Sequence, residues 1–275
     1  MFVKVNSSFI IPRMLLSTDL LAFYRDLATR DFVVSDLETT GFKPPIARVT
    51  EISVLHANLK DGIQGQYSTL INSQSEVPYH ITRVTGITQD MVDDAPDAKY
   101  VWPDYHEHLK SGVLVCHNLD FDYPFMRSEL KTHGIEFEKA KTDRLCTVIF
   151  SRLMLPDLPS RSLPNLVQHF GFDVGPSHRA ESDTLACWLL LERLLHEMLD
   201  TPDDELLKRF TKQWLPDREA ALILNCQTYK AIAILTDAGI RSRTSRRSST
   251  IMYQRGDVER IALERLGSQL GLDLA

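Results

Sequence analysis

The stretch VVSDLETTGF, Val33 to Phe42, decides how the whole sequence is interpreted. An apolar run ends in an acid, a spacer and a second acid, and a Thr-Thr-Gly turn follows. Because side chains alternate along a strand, Asp36 and Glu38 are predicted to share one face. Two buried carboxylates repel each other, and a bound cation would remove that conflict. The stretch therefore predicts half of a cation site, with a solvated strand end as the alternative.

The composition is that of a globular protein. The chain has 275 residues, of which 43% are hydrophobic and 25% charged, enough for one large domain or a medium domain with an appendage. No apolar run approaches the roughly 18 residues of a membrane span. The four cysteines have no CxxC spacing, which argues against a zinc ribbon and suits reduced thiols. We expect a cytoplasmic protein without a membrane partner.

The charge is unevenly distributed along the chain. Residues 1–200 have a net charge of −8, whereas residues 201–275 have a net charge of +2. The segment from Gly239 to Gly256 contains five arginines and no acid. A polyanion would be repelled by most of this protein unless metal ions or the basic segment received it.

The order of predicted elements indicates an α/β fold. Three strand-like runs are separated by turns that contain glycine or proline, which predicts an antiparallel meander: Phe32–Leu37, Val49–Leu59 and Gln66–Ile71. Further short strands are predicted at Val113–Val115 and near Leu145, each followed by helical segments. Strands first, then alternating strands and helices, predict a mixed sheet with helices on its faces.

Helix and linker signals divide the chain further. A helix is predicted to begin near Tyr123, with Pro124 in its first turn, and a long amphipathic helix runs from Ala180 to Leu199. The polar segment DTPDDE at residues 200–205 is a predicted domain boundary. The predicted organisation is a lead-in segment (1–30), a central domain (31–200) and a small, mostly helical C-terminal domain (201–275).

Two further acidic clusters accompany the opening stretch. In HNLDFDYPFM, residues 117–126, Asp122 lies at a predicted helix start, where the helix dipole favours an anion; a simple helix cap is the alternative. In SHRAESD, residues 177–183, five residues of helix would rotate His178 and Asp183 about 140° apart. His178 is therefore predicted on the preceding loop, where it could act as a general base; a surface histidine is the alternative.

Together, these three clusters resemble the motifs of the DEDDh family of 3′–5′ exonucleases, which includes the proofreading epsilon subunits of bacterial replicative DNA polymerases. DLETTG resembles the first motif, HNLDFDYPFM the second, and His178-x4-Asp183 the third. The similarity covers roughly residues 31–198, with the motifs in the family order. It implies a ribonuclease H-like fold, in which a mixed five-stranded sheet is flanked by helices.

The resemblance also implies a catalytic site. Four carboxylates would hold two Mg²⁺ or Mn²⁺ ions: Asp36, Glu38, Asp122 and Asp183. His178 would remove a proton from the attacking water, and a nucleoside 5′-monophosphate would leave the 3′ end. Further residues are expected to contact the substrate near its terminal nucleotide: Thr39, Thr40, Gly41, Phe42 and Asn118.

The last seventy-five residues resemble another type of domain. LPDREAALILNCQTYKAIAILTDAGIRSR, residues 215–243, is similar to the excisionase and MerR type of winged helix-turn-helix. The resemblance implies a recognition helix that opens with Gln227, Thr228 and Lys230, and a hairpin from Ser242 to Ser249 above Tyr253. Arginines of the hairpin would contact phosphate: Arg243, Arg246 and Arg247. The alternative is a helical tail for dimerisation or partner docking.

The sequence thus predicts a metal-dependent 3′–5′ exonuclease. Its expected partners are single-stranded or 3′-ended DNA, with RNA left open, and a DNA polymerase or repair protein. Two other functions stay open: a DNA-binding regulator that uses the exonuclease fold as a scaffold, and an accessory subunit of a polymerase.

Overall fold

The computed structural model describes residues 16–245 and 248–270. The chain forms two compact units. The larger unit comprises residues 26–151 and 159–197. The smaller unit joins the described residues up to Arg25 with residues 152–158 and with the chain from Met198 onward.

The larger unit contains a mixed sheet. In the described residues this sheet has five strands: β1 (Phe32–Thr39), β2 (Val49–Asn58), β3 (Gly62–Leu70), β4 (Val113–Cys116) and β5 (Arg144–Cys146). Their order is β3-β2-β1-β4-β5, with β1–β2 and β2–β3 antiparallel and β1–β4 and β4–β5 parallel. The predicted α/β class and mixed sheet are confirmed. Strand β1, which carries the opening acids, lies at the centre of the sheet.

Helices connect and cover the strands. In the described chain up to residue 200, the helices in sequence order are α1 (Ser17–Leu27), α2 (Tyr79–Thr85), α3 (Gln89–Asp93), α4 (Ala98–Leu109), α5 (Leu119–Thr132), α6 (Thr147–Met154), α7 (Leu163–Phe170) and α8 (Ala180–Asp200), of which most of α1 belongs to the smaller unit. A short 3₁₀ helix covers Lys141–Asp143. None of the helices in the described part of the chain has the length and apolarity needed to cross a bilayer.

The hydrophobic core of the larger unit fixes the position of the central strands. Val33 and Leu37 of β1 are buried in the same cluster as Trp102 of α4 and Phe125 of α5. Burying large side chains of this kind contributes about 1.5–3 kcal/mol each. The end of β1 is therefore anchored by the apolar residues that alternate with its acids.

One predicted boundary is wrong by about a turn. Helix α5 begins at Leu119 rather than near Tyr123, and Pro124 lies inside it. Asn118, with φ of +85°, takes the left-handed conformation, which asparagine tolerates better than most residues. This conformation lets the chain leave β4 and enter the helix at once. Asp122 accordingly lies in the first turn of α5.

The smaller unit has its own sheet and core. Strands β6 (Trp214–Pro216), β7 (Ser242–Thr244) and β8 (Ile251–Gln254) form an antiparallel sheet in the order β6-β8-β7, and β6 was not predicted. Its helices from residue 203 onward are α9 (Asp203–Phe210), α10 (Asp217–Ile223), α11 (Thr228–Asp237) and α12 (Arg255–Leu270). Tyr253, 2% exposed, is packed in the core that α10, α11 and α12 share.

Hydrogen bonds hold the start of α1 against α12 within the smaller unit. The backbone N–H and the hydroxyl of Ser17 both donate to the Glu259 carboxylate on α12, each with a distance of 2.8 Å to Oε1. Arg255 donates to the same carboxylate at 3.1 Å and to Gln213 Oε1 at 2.7 Å. These contacts connect the start of α1 with α12.

Candidate active site

The end of β1 projects past its parallel neighbour. Strand β4 pairs with β1 only from Phe32 to Val34, so within residues 16–245 and 248–270 the rest of β1 has no paired strand on that edge. Asp122, from the helix that follows β4, occupies this edge, and its carboxylate accepts the N–H of Leu37. Asp122 is 2% exposed. The sheet topology therefore brings the acids of the first and second motifs together.

The third motif adds a histidine and another acid. His178 lies in the loop before α8, and Asp183 lies in the first turn of that helix, as the spacing predicts. The backbone N–H of His178 donates to Asp183 Oδ2 at 3.0 Å. One ligand atom from each of Glu38, His178 and Asp183 lies within 4.8 Å of the others, an arrangement that could hold a metal ion.

The electrostatics of the acids reflect their crowding. Burial, followed by the charges of Asp122, Asp183 and Glu38, raises the pKa of Asp36 well above its usual value. Burial and the charge of Asp183 raise the pKa of Glu38 to about 8, against an opposing effect of Arg179. Burial also raises the pKa of Asp122 and of Asp183. A divalent cation would favour the ionised carboxylates and offset this repulsion.

The donor set fits hard divalent cations. The four carboxylates offer oxygen atoms, the ligands that Mg²⁺ and Mn²⁺ prefer. The four cysteines are free thiols, and two of them, Cys116 and Cys187, are buried. The oxygen atoms of the acidic cluster are thus suited to hold a hard divalent cation.

A fifth carboxylate, which the sequence analysis did not identify, belongs to the same cluster. Glu51 on β2 lies directly opposite Glu38 in the strand register. Its carboxylate accepts hydrogen bonds from Arg179 Nη2 at 2.7 Å and from the N–H of Ala180 at 2.9 Å. A sequence signal existed, because Glu51 is the one acid inside the otherwise uncharged run VTEISVL.

The predicted substrate-contacting residues surround the end of β1. The hydroxyl of Thr39 donates to the carbonyl of Gly41 at 2.7 Å, and the hydroxyl of Thr40 accepts the N–H of Arg48 at 2.9 Å. These bonds fix the turn. Phe42, just after it, is 82% exposed. Asn118 is exposed as well, at the start of α5.

The predicted phosphate-contacting arginines lie elsewhere in the chain. Arg243 is exposed on β7 of the smaller unit, and its guanidinium carbon lies 4.0 Å from the centre of the Trp214 ring. Arg246 and Arg247 lie outside the described residues. The helices α10 and α11, the turn between them and the β7–β8 hairpin follow in the predicted order.

The fold and the acidic cluster define a nuclease-like class of protein, and comparison with known proteins specifies the family. The sequence profile of the exonuclease family, RNase_T, matches residues 33–191. The chain belongs to this exonuclease family.

Two of the similar proteins carry the names of a DNA polymerase and of a nuclease. The chain is 33% identical over 186 residues to the PolC-type DNA polymerase III of Clostridium perfringens, a match that covers 67% of this chain and 12% of the polymerase. A Mycobacterium tuberculosis protein that carries the name of a bifunctional exonuclease/endonuclease is 31% identical over 238 residues, with 78% of this chain and 36% of that protein covered. The chain thus spans a minor part of the length of these relatives.

A solved structure confirms the ribonuclease H-like exonuclease fold. The zinc-bound form of the E. coli exonuclease I complex with single-stranded DNA superposes with a TM-score of 0.56. The match covers 64% of this chain and 42% of that structure, at 16% sequence identity. The predicted fold class is therefore confirmed at the level of the fold family as well as the sheet.

Proposed function

We propose that the chain is a metal-dependent 3′–5′ exonuclease that removes nucleoside 5′-monophosphates from DNA. The observation that carries this proposal is the cluster of Asp36, Glu38, Asp122 and Asp183 around the end of β1, with raised pKa values and His178 alongside. Membership of the exonuclease family and the fold shared with exonuclease I support it.

Each residue of the site has a proposed role in the hydrolysis. The four acids would hold two Mg²⁺ or Mn²⁺ ions, which when bound supply an activated water and charge stabilisation at the leaving oxygen. His178 would take the proton from the water, because it lies exposed on the loop beside Asp183 and has access to solvent. The Asp183 carboxylate fixes the backbone of that histidine.

The substrate would meet the turn after β1. Thr39, Thr40 and Gly41 would lie beside the terminal 3′-hydroxyl, and Asn118 beside the adjacent sugar-phosphate. The exposed ring of Phe42 is suited to stack on a terminal base, because every base has an aromatic face. The single-stranded DNA bound to exonuclease I favours DNA as the substrate.

A second proposal concerns residues 201–275, which we propose as a nucleic-acid-binding domain of winged helix-turn-helix type. The supporting observation is the order of α10, α11 and the β7–β8 hairpin, with Gln227, Thr228 and Lys230 exposed at the start of α11. Arg243, Arg246 and Arg247 would contact phosphates. Residues 1–30 would be a lead-in segment, and residues 31–200 the exonuclease domain.

The catalytic proposal is tested with 5′-labelled single-stranded DNA and RNA in Mg²⁺, Mn²⁺ or EDTA. We expect a metal-dependent ladder that shortens from the 3′ end, lost in Asp36→Ala. His178→Ala should slow hydrolysis about 10²- to 10⁴-fold while metal binding persists. Absence of a ladder on either substrate, with folded and metal-loaded protein, would contradict the proposal and favour a DNA-binding regulator.

The DNA-binding proposal is tested by titrating labelled duplex DNA at several salt concentrations. Arg243→Ala should weaken binding and reduce the salt slope by about one, the value for one lost phosphate contact. Arg260→Ala is the matched control, because Arg260 is exposed in the same unit but paired with Glu264 at 2.9 Å. If wild type, Arg243→Ala and Arg260→Ala bound DNA equally well, the result would instead favour a helical tail for dimerisation or partner docking.

A polymerase or repair partner is a further part of the proposal. The PolC-type relatives contain their matching region within a DNA polymerase III, which supports a polymerase partner for this chain. Co-purification of a polymerase with the tagged protein would support the accessory role.

A further inference from the structure

The residue proposed as the general base has an unusual backbone. His178 has a φ of +62°, in the left-handed region that is uncommon for residues other than glycine, although asparagine, aspartate and histidine are enriched there. A conformation of this kind persists only where the surroundings impose it. His178 is exposed, so the packing of its own side chain does not hold it. Its neighbours must do so.

The two residues that follow His178 are held by one buried carboxylate. Arg179 Nη2 donates to Glu51 Oε1 at 2.7 Å, and Arg179 Nε lies 3.2 Å from both carboxylate oxygens. The N–H of Ala180, the first residue of α8, donates to Glu51 Oε2 at 2.9 Å. The side chain of Glu51 is 4% exposed. Together with the Asp183 bond to the His178 N–H, these contacts fix the backbone on both sides of the histidine.

The location of Glu51 is electrostatically unfavourable. It lies opposite Glu38 across the β1–β2 ladder, where like charges destabilise a sheet, and its charge adds to the repulsion on Asp36. Both of its oxygens are engaged by Arg179 and Ala180, so it is not placed as a further metal ligand. Among the described residues, the side-chain hydrogen bonds of Glu51 are directed to the segment after His178.

We propose that Glu51 and Arg179 are positioning residues that hold His178 in its left-handed conformation and thereby aim its ring at the site. The proposal rests on the proposed function, in which His178 is the general base. It predicts that the larger part of the effect of the ion pair on catalysis passes through that histidine.

The first test is a double-mutant cycle on labelled single-stranded DNA. Arg179→Ala should lower kcat about 10- to 100-fold with little change in KM, the range found when supporting contacts of a catalytic group are lost. In a His178→Ala background the same substitution should have a much smaller effect on kcat. Arg179→Lys, which keeps the charge but loses the planar fork, should be intermediate.

The chain offers a matched control. Arg48 donates through Nε and Nη2 to the two oxygens of Glu129, each at 2.8 Å, and Glu129 also accepts the N–H of Val49. Arg48→Ala removes the same kind of ion pair, so any effect on kcat should be equal in the two His178 backgrounds. If Arg179→Ala also slowed both backgrounds equally, the positioning role would be contradicted.

A second test does not depend on activity. Hydrogen exchange of backbone amides, measured without metal or DNA, should become at least about 10-fold faster at His178 and Ala180 in Arg179→Ala and in Glu51→Gln, because both substitutions break the ion pair that fixes this segment. Arg48→Ala should instead affect Val49. Unchanged exchange at both amides would overturn the proposal. An inactive wild-type protein would contradict the proposed function while the exchange result still decides on the positioning contacts.

Discussion

Helix α5 carries two buried acids on one face, and they have opposite surroundings. Asp122 and Glu129 lie two helical turns apart and are 2% and 3% exposed. Glu129 faces the guanidinium of Arg48, which meets both of its oxygens. Burial raises the pKa of Asp122 well above its usual value, and the charge of another carboxylate, Glu38, adds to this rise.

We propose that this difference separates a structural acid, Glu129, from a functional one, Asp122. A buried carboxylate with a guanidinium partner has its charge balanced by the protein itself. A buried carboxylate among other carboxylates costs free energy until a cation arrives. The chain tolerates this cost at Asp122, next to the end of β1, and avoids it at Glu129. We take the unbalanced set as the mark of the metal site.

The largest expected effect is on activity. Asp122→Asn should reduce the rate of metal-dependent hydrolysis by at least about 10²-fold, comparable to or greater than the loss from removing a general base. Glu129→Gln should keep the rate within a few-fold when both are assayed well below their unfolding temperatures. Single-turnover kinetics on labelled DNA measures both. Equal losses in the two variants would remove the distinction between the acids.

The next effect is on stability, and here the two substitutions should have opposite signs. In EDTA at about pH 8, Glu129→Gln should lower the free energy of unfolding by about 2 kcal/mol. This is less than the roughly 3–5 kcal/mol of a fully buried pair, because the Arg48 side chain is 26% exposed. Asp122→Asn should raise it by about 1 kcal/mol, since the amide still accepts the Leu37 N–H without a charge. Urea unfolding measures the free energy of unfolding of both variants. If both substitutions changed it in the same direction, the comparison between the two acids would be contradicted.

The smallest expected effect is a pH dependence of metal-free stability. Burial, then the charges of Asp183 and Glu51, raise the pKa of Glu38 from 4.5 to about 8 in the folded chain. Below 4.5 the residue is protonated in both states. Between 4.5 and about 8 the folded state keeps a proton that the unfolded state has lost, so stability falls as pH rises. In EDTA, the free energy of unfolding of Glu38→Gln should therefore rise relative to wild type as the pH increases across this window. A difference between the two proteins that stayed constant with pH would argue against a raised pKa of Glu38.

Local sequence patterns predicted the parts of the site that depend on local geometry. The alternation of Asp36 and Glu38 along β1, and the spacing of His178 and Asp183 around the start of α8, follow directly from strand and helix periodicity. The mixed sheet followed from the order of apolar runs. These features need no knowledge of which distant segments meet.

The features that the sequence analysis missed depend on distant contacts or on single backbone angles. Glu51 and Arg179 are 128 residues apart, and only the β1–β2 register and the position of α8 bring them together. Ser17 and Glu259 are 242 residues apart. The early start of α5 depends on the left-handed conformation of Asn118. Asparagine allows this conformation but does not require it, so the sequence alone did not predict it.

The most direct test of the account is a calorimetric titration of the metal-free protein with Mn²⁺. Wild type and Glu129→Gln should each bind two ions, and Asp122→Asn should lose at least one of them. Binding of Mn²⁺ by Asp122→Asn with the stoichiometry and affinity of wild type, or no binding by folded wild type, would contradict the claim that the unbalanced acids form a metal site.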